Sequence, residues 1–594
     1  MLLPPLELDR RFSDASREAP ARARGGRTNL LTVSLEDYFQ VGAFGSLIPR
    51  GQWYRFESRI EQSTARMLDL LDEFGISATV FVLGCVAERY PELVRHVRER
   101  GHEIASKGYQ HRPIAELSRT LLAEDLTRAR EAIELACGQR VAGCRVSGWL
   151  TPSDAWALEV MAEQGYLYDS SMRPMLRSHA GDPASRRAHV HGVGERSIWE
   201  FPVSSVSIMG CALPLAGGAW FRQLPHGLVR RGIARAHRDS VSPMVLYFQS
   251  WELDPEQPRI EGASAWARLR HYRHLDRMPE ILRHYLSRYS FTGISDWLGV
   301  PPLDVVPTRT SGALRVVGGR RAPALVPAAP SLPRLPVSVV IPCFNEERAL
   351  PYLANTLRRL DDSLGAAYDL RFFFVDDGST DGTPGALRRL FHSWANVIVL
   401  RHSRNRGVAA AIHTGLLAST TEVVCSMGCD GAYDPHELAR MIPRLRDDVA
   451  LVVASPYHPD GVVRSAPAWR LLPTRALGHL YRLVLTNQLH TLTSVFRVQR
   501  RSRLLALPAR RPGAVGLTET LARLDAAGAR IVEHPVAMDR RIFGRPKATL
   551  GRSVIGHLGL LAELAWRRAR GRRAAAPSLD HLSRERGTFH MDAS

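Results

Sequence analysis

Lysine is almost missing from this chain. Of 79 basic residues only Lys107 and Lys547 are not arginine, yet the formal net charge is +20. An excess of that size implies an anionic partner: nucleic acid, anionic lipid or a phosphate-bearing substrate. No compact basic stripe interleaved with aromatics occurs, and no nucleic-acid motif, so nucleic acid is not expected. Cysteine is scarce too. The seven cysteines show neither a metal-binding spacing nor a disulfide framework. Cys425 and Cys429 are the closest pair and no second pair accompanies them, which fits a reducing compartment. No apolar run reaches the roughly 18 residues of a membrane span, and MLLPPLELDRRF has too short an apolar stretch for a signal peptide. No repeat of solenoid period occurs. The expected location is cytoplasmic, peripheral on the inner face of a membrane.

What is present is ordinary globular material, 45% hydrophobic and 23% charged, in 594 residues that allow two or more domains. Residues 1–27 read as a mobile basic arm. Strand and helix then alternate over 28–304, beginning with NLLTVSL, an acidic turn at Glu36 and Asp37, and a helix near Glu61 to Phe74. Met67, Leu68, Leu70, Leu71 and Phe74 give that helix one apolar face, and the alternation predicts a parallel α/β barrel or sheet. Residues 305–335, rich in proline and alanine, read as an extended, semi-rigid linker. A second α/β unit follows over 336–573, with strands VSVVIPCFNEE, RFFFVDDGS and NVIVLRHS and helices from Ala349 to Leu360 and from Thr383 to Phe391. Residues 574–594 form a tail.

The stretch FFFVDDGSTDGT organises the second unit. A run of high strand propensity ends in Asp376 and Asp377 and enters a turn of Gly, Ser, Thr and Asp. It predicts a buried parallel strand whose carboxyl end carries two acids into a crevice, where they suit a ribose hydroxyl, a base edge or a divalent cation. Together with VVIPCFNEE, NRGVAAAIHTGLLAS and CDGAYDP, in that order, it resembles the inverting nucleotide-sugar transferases of family 2, over about 336–568. The resemblance implies a GT-A fold, with Pro342, Asn345 and Glu346 helping to hold the nucleotide and Asp376 and Asp377 binding its base and ribose. Asp430 stands as the metal-binding acid of the DxD motif, clamping the donor diphosphate through Mg2+ or Mn2+; it and Asp377 are the expected catalytic acids. Gly428 replaces the first acid of that motif, so Asp377 or Asp434 would have to compensate. HTLTSVFR places Thr491 where related enzymes often carry an acid, and threonine is no general base at neutral pH. The base is unassigned; an ionised phosphate acceptor would need none. RRIFGRPK resembles the RxxGxSK element of polyprenyl-phosphate sugar transferases, which implies phosphate contacts from Arg541 and Lys547. Val554, Ile555, Leu558, Leu561, Leu564 and Trp566 then form an apolar face ahead of RRARGRR, a pattern shared by core helices and by helices lying on anionic lipid.

The first unit, over about 29–297, resembles the polysaccharide deacetylases of exopolysaccharide loci, through LTVSLEDYFQVGAF, FVLGCVAERYPELV, GHEIASKGYQH, GCRVSGWL, YDSSMRP and LYFQSWELDPEQPRI. That family uses a metal held by an acid and two histidines, with a second acid as base and a histidine as general acid. Here Ser34 replaces the aspartate of DVED ahead of Glu36 and Asp37. Lys107 replaces a metal ligand while His111 remains, Gln249 replaces the acid histidine, and Arg145 survives although Ser147 replaces a proline. An ammonium cannot ligate a cation, so no metal is expected in this unit.

The reading is therefore α/β throughout: a deacetylase-like distorted (β/α) barrel followed by a GT-A, Rossmann-like transferase domain. The expected activity is transfer of a sugar from a nucleotide-sugar donor to a polysaccharide or polyprenyl-phosphate acceptor in exopolysaccharide or cell-envelope synthesis, with an inactive first unit. The expected partners are that donor and acceptor and an anionic membrane surface. Two alternatives stand: a bifunctional N-deacetylase and transferase, and a non-enzymatic carbohydrate-binding scaffold.

Overall fold

The computed structural model describes residues 28–172, 187–302 and 334–569, apart from short gaps at 195, 209–210, 215–216, 240–241, 465–467, 508–509 and 544–549. The arm at 1–27, nearly all of the 305–335 linker, Lys547 and the 574–594 tail lie outside the described residues. The chain folds as two compact units, one drawn mainly from residues before Arg320 and the other mainly from Arg320 onward.

The first unit is built on strands β1 (Asn29–Leu35), β2 (Thr79–Val82), β3 (Glu103–Ser106), β4 (Gly143–Cys144), β5 (Tyr168–Asp169), β6 (His189–Val193) and β7 (Arg196–Glu200). A hairpin of β8 (Ser205–Ile208) and β9 (Cys211–Pro214) stands apart, and β10 (Val245–Gln249) and β11 (Phe291–Thr292) complete the set. The sheet runs β10-β1-β2-β3-β4-β5-β7-β6 with β11 beside β1, parallel except between β6 and β7, and its described strands do not close into a ring. All seven residues of β1 are buried, including Thr32 and Ser34, as expected of a parallel strand covered on both faces. Helix α1 (Ile60–Asp72) buries Met67, Leu68, Leu70 and Leu71. Glu36, Lys107 and Gln249 then fall at the carboxyl ends of β1, β3 and β10.

The second unit carries β12 (Leu335–Cys343), β13 (Tyr368–Asp376), β14 (Val397–Arg401), β15 (Val423–Ser426), β16 (Val449–Ser455), β17 (Val462–Val463), β18 (Arg497–Arg500), β19 (Arg530–Pro535) and β20 (Ala537–Met538). Seven of these form the sheet β14-β13-β12-β15-β18-β16-β19, with β18 antiparallel to both neighbours; β17 and β20 pair with each other. Strand side chains alternate between faces, and here both faces are covered. Val339, Ile341, Phe372 and Phe374 pack with Leu353 and Leu357 of α2 (Leu350–Leu364) and with Phe391 of α3 (Thr383–Phe391). Val340, Phe373 and Val375 pack on the other side with Ile412 of α4 (Val408–Ala418). That arrangement explains why FFFV has no polar alternation. Tyr481 of α5 (Ala468–Val484) and Leu560 of α6 (Leu550–Ala569) join the same layer as α4.

Candidate functional site

Four segments of the second unit meet at the carboxyl ends of β12, β13 and β15. Asn345, just after β12, has φ 52°, a left-handed conformation that asparagine tolerates. Its Oδ1 accepts from the Thr380 amide at 2.8 Å and its own amide donates to Ser379 Oγ at 2.9 Å, joining the turn after β12 to the turn after β13. Asp376 is 1% exposed: Oδ1 accepts from the Ser379 amide at 3.0 Å, while Oδ2 lies 3.2 Å from Arg401 Nε without hydrogen-bond geometry. Gly378 has φ 71°, and a Cβ there would stand 2.5 Å from the Arg404 carbonyl carbon, so the turn admits no side chain.

Asp377 is placed differently from a ligand-binding acid. Its carboxylate accepts from the amides of Arg406 at 2.8 Å and Gly407 at 2.7 Å, where the chain enters α4, and meets His402 Nδ1 at 2.7 Å. Both oxygens are engaged in holding the NRG loop. Asp434 accepts from the amide of His436 at 3.1 Å through Oδ1, and its side chain is 44% exposed. Asp377, with both oxygens engaged, does not compensate for Gly428. A Cβ at Gly428 would lie 3.2 Å from Asp430 Oδ1, so an acid at that position would have stood against Asp430. Asp430 is half-buried, and its Oδ1 accepts from the Ala432 amide at 3.2 Å. Arg541 forms an ion pair with Glu346 and donates from Nε to the Phe543 carbonyl at 2.9 Å. Burial opposes the charge on Arg541, but Glu346 and Asp430 outweigh it and push its pKa above the ordinary arginine value. Thr491 is 2% exposed, with Oγ1 2.7 Å from Ser455 Oγ, a structural contact. Among the described residues no group of three or more His, Cys, Asp or Glu could hold a metal ion. Among the described residues at these strand ends, Asp430 is the half-buried carboxylate that the motif resemblance points to for a divalent cation. That suits an ion such as Mg2+, which takes one or two carboxylates and draws its other ligands from substrate phosphate and water.

In the first unit a different cluster forms. Lys107 Nζ lies 2.6 Å from Glu36 Oε2, Gln249 Nε2 donates to Glu36 Oε1, and His111 Nε2 stands 3.7 Å from Glu36 Oε2. Burial pulls the Lys107 ammonium below its ordinary value, against the pull of Glu36. Burial also lowers the His111 pKa to about 4, so near neutrality the imidazole is uncharged and does not ion-pair. Asp37 is not part of the cluster: its carboxylate accepts from Ser58 Oγ at 2.6 Å and from the Arg59 amide at 3.2 Å. Burial raises its pKa to about 6 despite those donors. Arg145 is a buried strut, donating to the Ser170 carbonyl at 2.8 Å and Thr32 Oγ1 at 3.0 Å, with burial lowering its pKa to about 10. Ser34 is buried in β1, in register with Phe81 and Gln249.

Sequence reasoning missed His402 and Arg401, which lie at the end of β14 and flank the two acids; the only signal was their place at a strand end. Helix α6, near the end of the chain, has two apolar sides. Leu560 is buried in the core and Leu561 and Leu564 pack against it partly buried, while Val554, Ile555 and Leu558 are exposed. No helix among the described residues is long and apolar enough to cross a membrane.

Comparison with known proteins matches residues 338–505 to the family described as Glycosyl transferase family 2, 52–168 to Polysaccharide deacetylase, and 170–299 to a domain of unknown function, DUF3473. An uncharacterized glycosyltransferase of Mycobacterium tuberculosis is 32% identical over 223 residues, 36% of this chain and 89% of that protein. The polyprenol monophosphomannose synthase of Mycolicibacterium smegmatis is 29% identical over 167 residues, 27% of this chain and only 61% of the synthase. The crystal structure of glucosyl-3-phosphoglycerate synthase from Mycobacterium tuberculosis, at 22% identity, covers 39% of this chain and 80% of its own, with a TM-score of 0.30. An overlap that slight carries no argument.

Proposed function

The chain belongs to glycosyl transferase family 2 through its second half, behind a polysaccharide deacetylase region, and we propose that the second half is its working enzyme. The reaction is transfer of a sugar from a nucleotide-sugar donor to a polyprenyl-phosphate or polysaccharide acceptor in exopolysaccharide or cell-envelope synthesis. One observation carries the reading: Asp376, Asp430 and the Glu346–Arg541 pair stand at the carboxyl ends of parallel strands of one sheet, where open α/β sheets bind ligands.

The residues divide the work. Asp376 Oδ2, buried and without a hydrogen bond, is an acceptor for a base N–H. Asp377 positions the loop before α4, and Pro342 and Asn345 shape the floor of the donor crevice. Arg541, kept charged by Glu346, takes phosphate oxygens as a bidentate donor; Lys547 adds a second cation. Asp430 would hold Mg2+ or Mn2+, which when bound neutralises charge building on the leaving diphosphate. Thr491, committed to Ser455, leaves no residue at that position to deprotonate a hydroxyl, and this favours an acceptor phosphate that is already ionised. The name of the mycobacterial synthase supports the same acceptor class.

The first unit is proposed to be inactive as a deacetylase, because Lys107 and Gln249 occupy both oxygens of Glu36. The bifunctional alternative requires acetate release from a chito-oligomer, abolished by His111→Asn. A peripheral membrane position is proposed from the exposed Val554, Ile555 and Leu558 of α6 and from Leu483 of α5, which is 74% exposed and whose carbonyl accepts from Arg568 of α6. The test of the transferase is hydrolysis of UDP- and GDP-sugars by the full chain with and without Mn2+. Metal-dependent release of the nucleotide is expected, and a full panel of donors left intact overturns the proposal.

A further inference from the structure

The two cysteines nearest in sequence, Cys425 and Cys429, are not the pair that the fold brings together. Cys429 Sγ lies 2.7 Å from Sγ of Cys343, 86 residues away. We propose that Cys343 and Cys429 are an oxidisable pair, a modification site at which a low-molecular-weight disulfide closes an intrachain disulfide bond beside Asp430.

Both cysteines sit at the strand ends just described. Cys343 is the last residue of β12, in register with Asp376, and Cys429 directly precedes Asp430. They are 1% and 3% exposed. Their surroundings are fixed by backbone hydrogen bonds, from the Asp377 amide to the Cys343 carbonyl at 2.8 Å and from the Met427 amide to the Val340 carbonyl at 3.0 Å. A disulfide bond measures about 2.05 Å, so the two sulfurs stand roughly 0.65 Å beyond bonding distance. Each sulfur also has a backbone carbonyl beside it: Cys429 Sγ donates to the Pro342 carbonyl at 3.2 Å, and Cys343 Sγ lies 3.5 Å from the Ile341 carbonyl.

The chemistry is thiol–disulfide exchange. One protein thiol gives up its proton, its sulfur attacks the reagent RSSR, and one RSH leaves. The second protein thiol then attacks the mixed disulfide and releases the second RSH. The net change is two thiols and RSSR converted to one protein disulfide and two RSH, with the protein oxidised and the reagent reduced. Both sulfurs are almost fully buried, and an attacking thiol must meet the reagent as its thiolate. Exchange is accordingly slow, and it is restricted to a reagent small enough to enter the crevice. Once formed, the bond ties the turn that carries Asn345 and Glu346 to the turn that carries Asp430. That consequence, and only that, rests on the proposed donor site.

The native full-length chain exposed to oxidised glutathione and mapped without reduction tests the idea. The expected product is a peptide pair joined through Cys343 and Cys429, two hydrogens lighter than the separate thiols, restored by dithiothreitol and missing from Cys343→Ser and from Cys429→Ser. Separate alkylation of both sulfurs after saturating exposure, or accumulation of glutathione adducts in place of the link, overturns it. Mapping the wild-type chain does not depend on how the serine variants fold. It also needs no sugar transfer, so failure of the link and failure of the proposed reaction are told apart.

Discussion

Replacing Lys107 by methionine keeps the length of the side chain and deletes its charge. Lys107 is 5% exposed and Glu36 0%, with ammonium and carboxylate 2.6 Å apart. Removing one partner of a buried pair costs about 3–5 kcal/mol, because the survivor keeps its charge without a counter-ion. Gln249 still donates to Glu36, so the carboxylate keeps one hydrogen bond. The lower end, about 3 kcal/mol, is therefore expected for Lys107→Met. Lys107→Met combined with Glu36→Gln removes both charges and should recover wild-type stability to within about 1 kcal/mol, or exceed it. With two units in the chain a single melting curve does not isolate this loss. Amide exchange of peptides covering β1 and β3, followed across a urea series, does. A loss below about 1 kcal/mol for the single variant, or a double variant no more stable than the single one, refutes a charged pair at this site.

Three further outcomes follow from the geometry. Asp430→Ala should lower metal-dependent donor hydrolysis about 100-fold, the scale of losing one group that stabilises developing charge; activity unchanged within a factor of two removes Asp430 from the site. His111 should make the first unit acid-sensitive. Its folded pKa of about 4 lies below the ordinary 6.5, so the unfolded chain binds the proton more readily, and the stability it contributes is full above 6.5 and lost as pH falls toward 4. By pH 5 that loss is about 2 kcal/mol, while Asp37, raised to about 6, works in the opposite sense by about 1 kcal/mol. His111→Asn should thus retain about 2 kcal/mol more at pH 5, relative to pH 8, than the wild type does; identical pH profiles contradict this. Finally, Leu483→Glu with Ile555→Glu should reduce co-sedimentation with anionic vesicles at least about 100-fold, given roughly 2 kcal/mol per buried aliphatic side chain. Wild-type binding that ignores anionic lipid content would remove the membrane surface.

Much of the fold was legible because it is local. VVIP and FFFV are continuous apolar runs, and such runs are satisfied only by a parallel strand covered on both faces, which is how β12 and β13 lie between α2 and α4. The acids at the ends of those runs fall at strand ends for the same reason. The helix over Ile60–Asp72 follows from its apolar spacing alone. The apolar positions of α6 were legible, but their division into a buried side and an exposed side was not, since periodicity gives a face without saying what packs against it.

Pairings between distant residues were decided only by the tertiary structure. Asp376 and Asp377 are adjacent and chemically identical. Strand alternation sends one toward the turn at Ser379 and the other to the amides of Arg406 and Gly407. Glu36 and Asp37 divide in the same way, one to Lys107 and the other to Ser58. Glu346 meets Arg541 across 195 residues and Cys343 meets Cys429 across 86. The residue types along the chain set which chemistries are available. Which of them meet depends on strand order and register, and those are settled by packing a whole sheet at once.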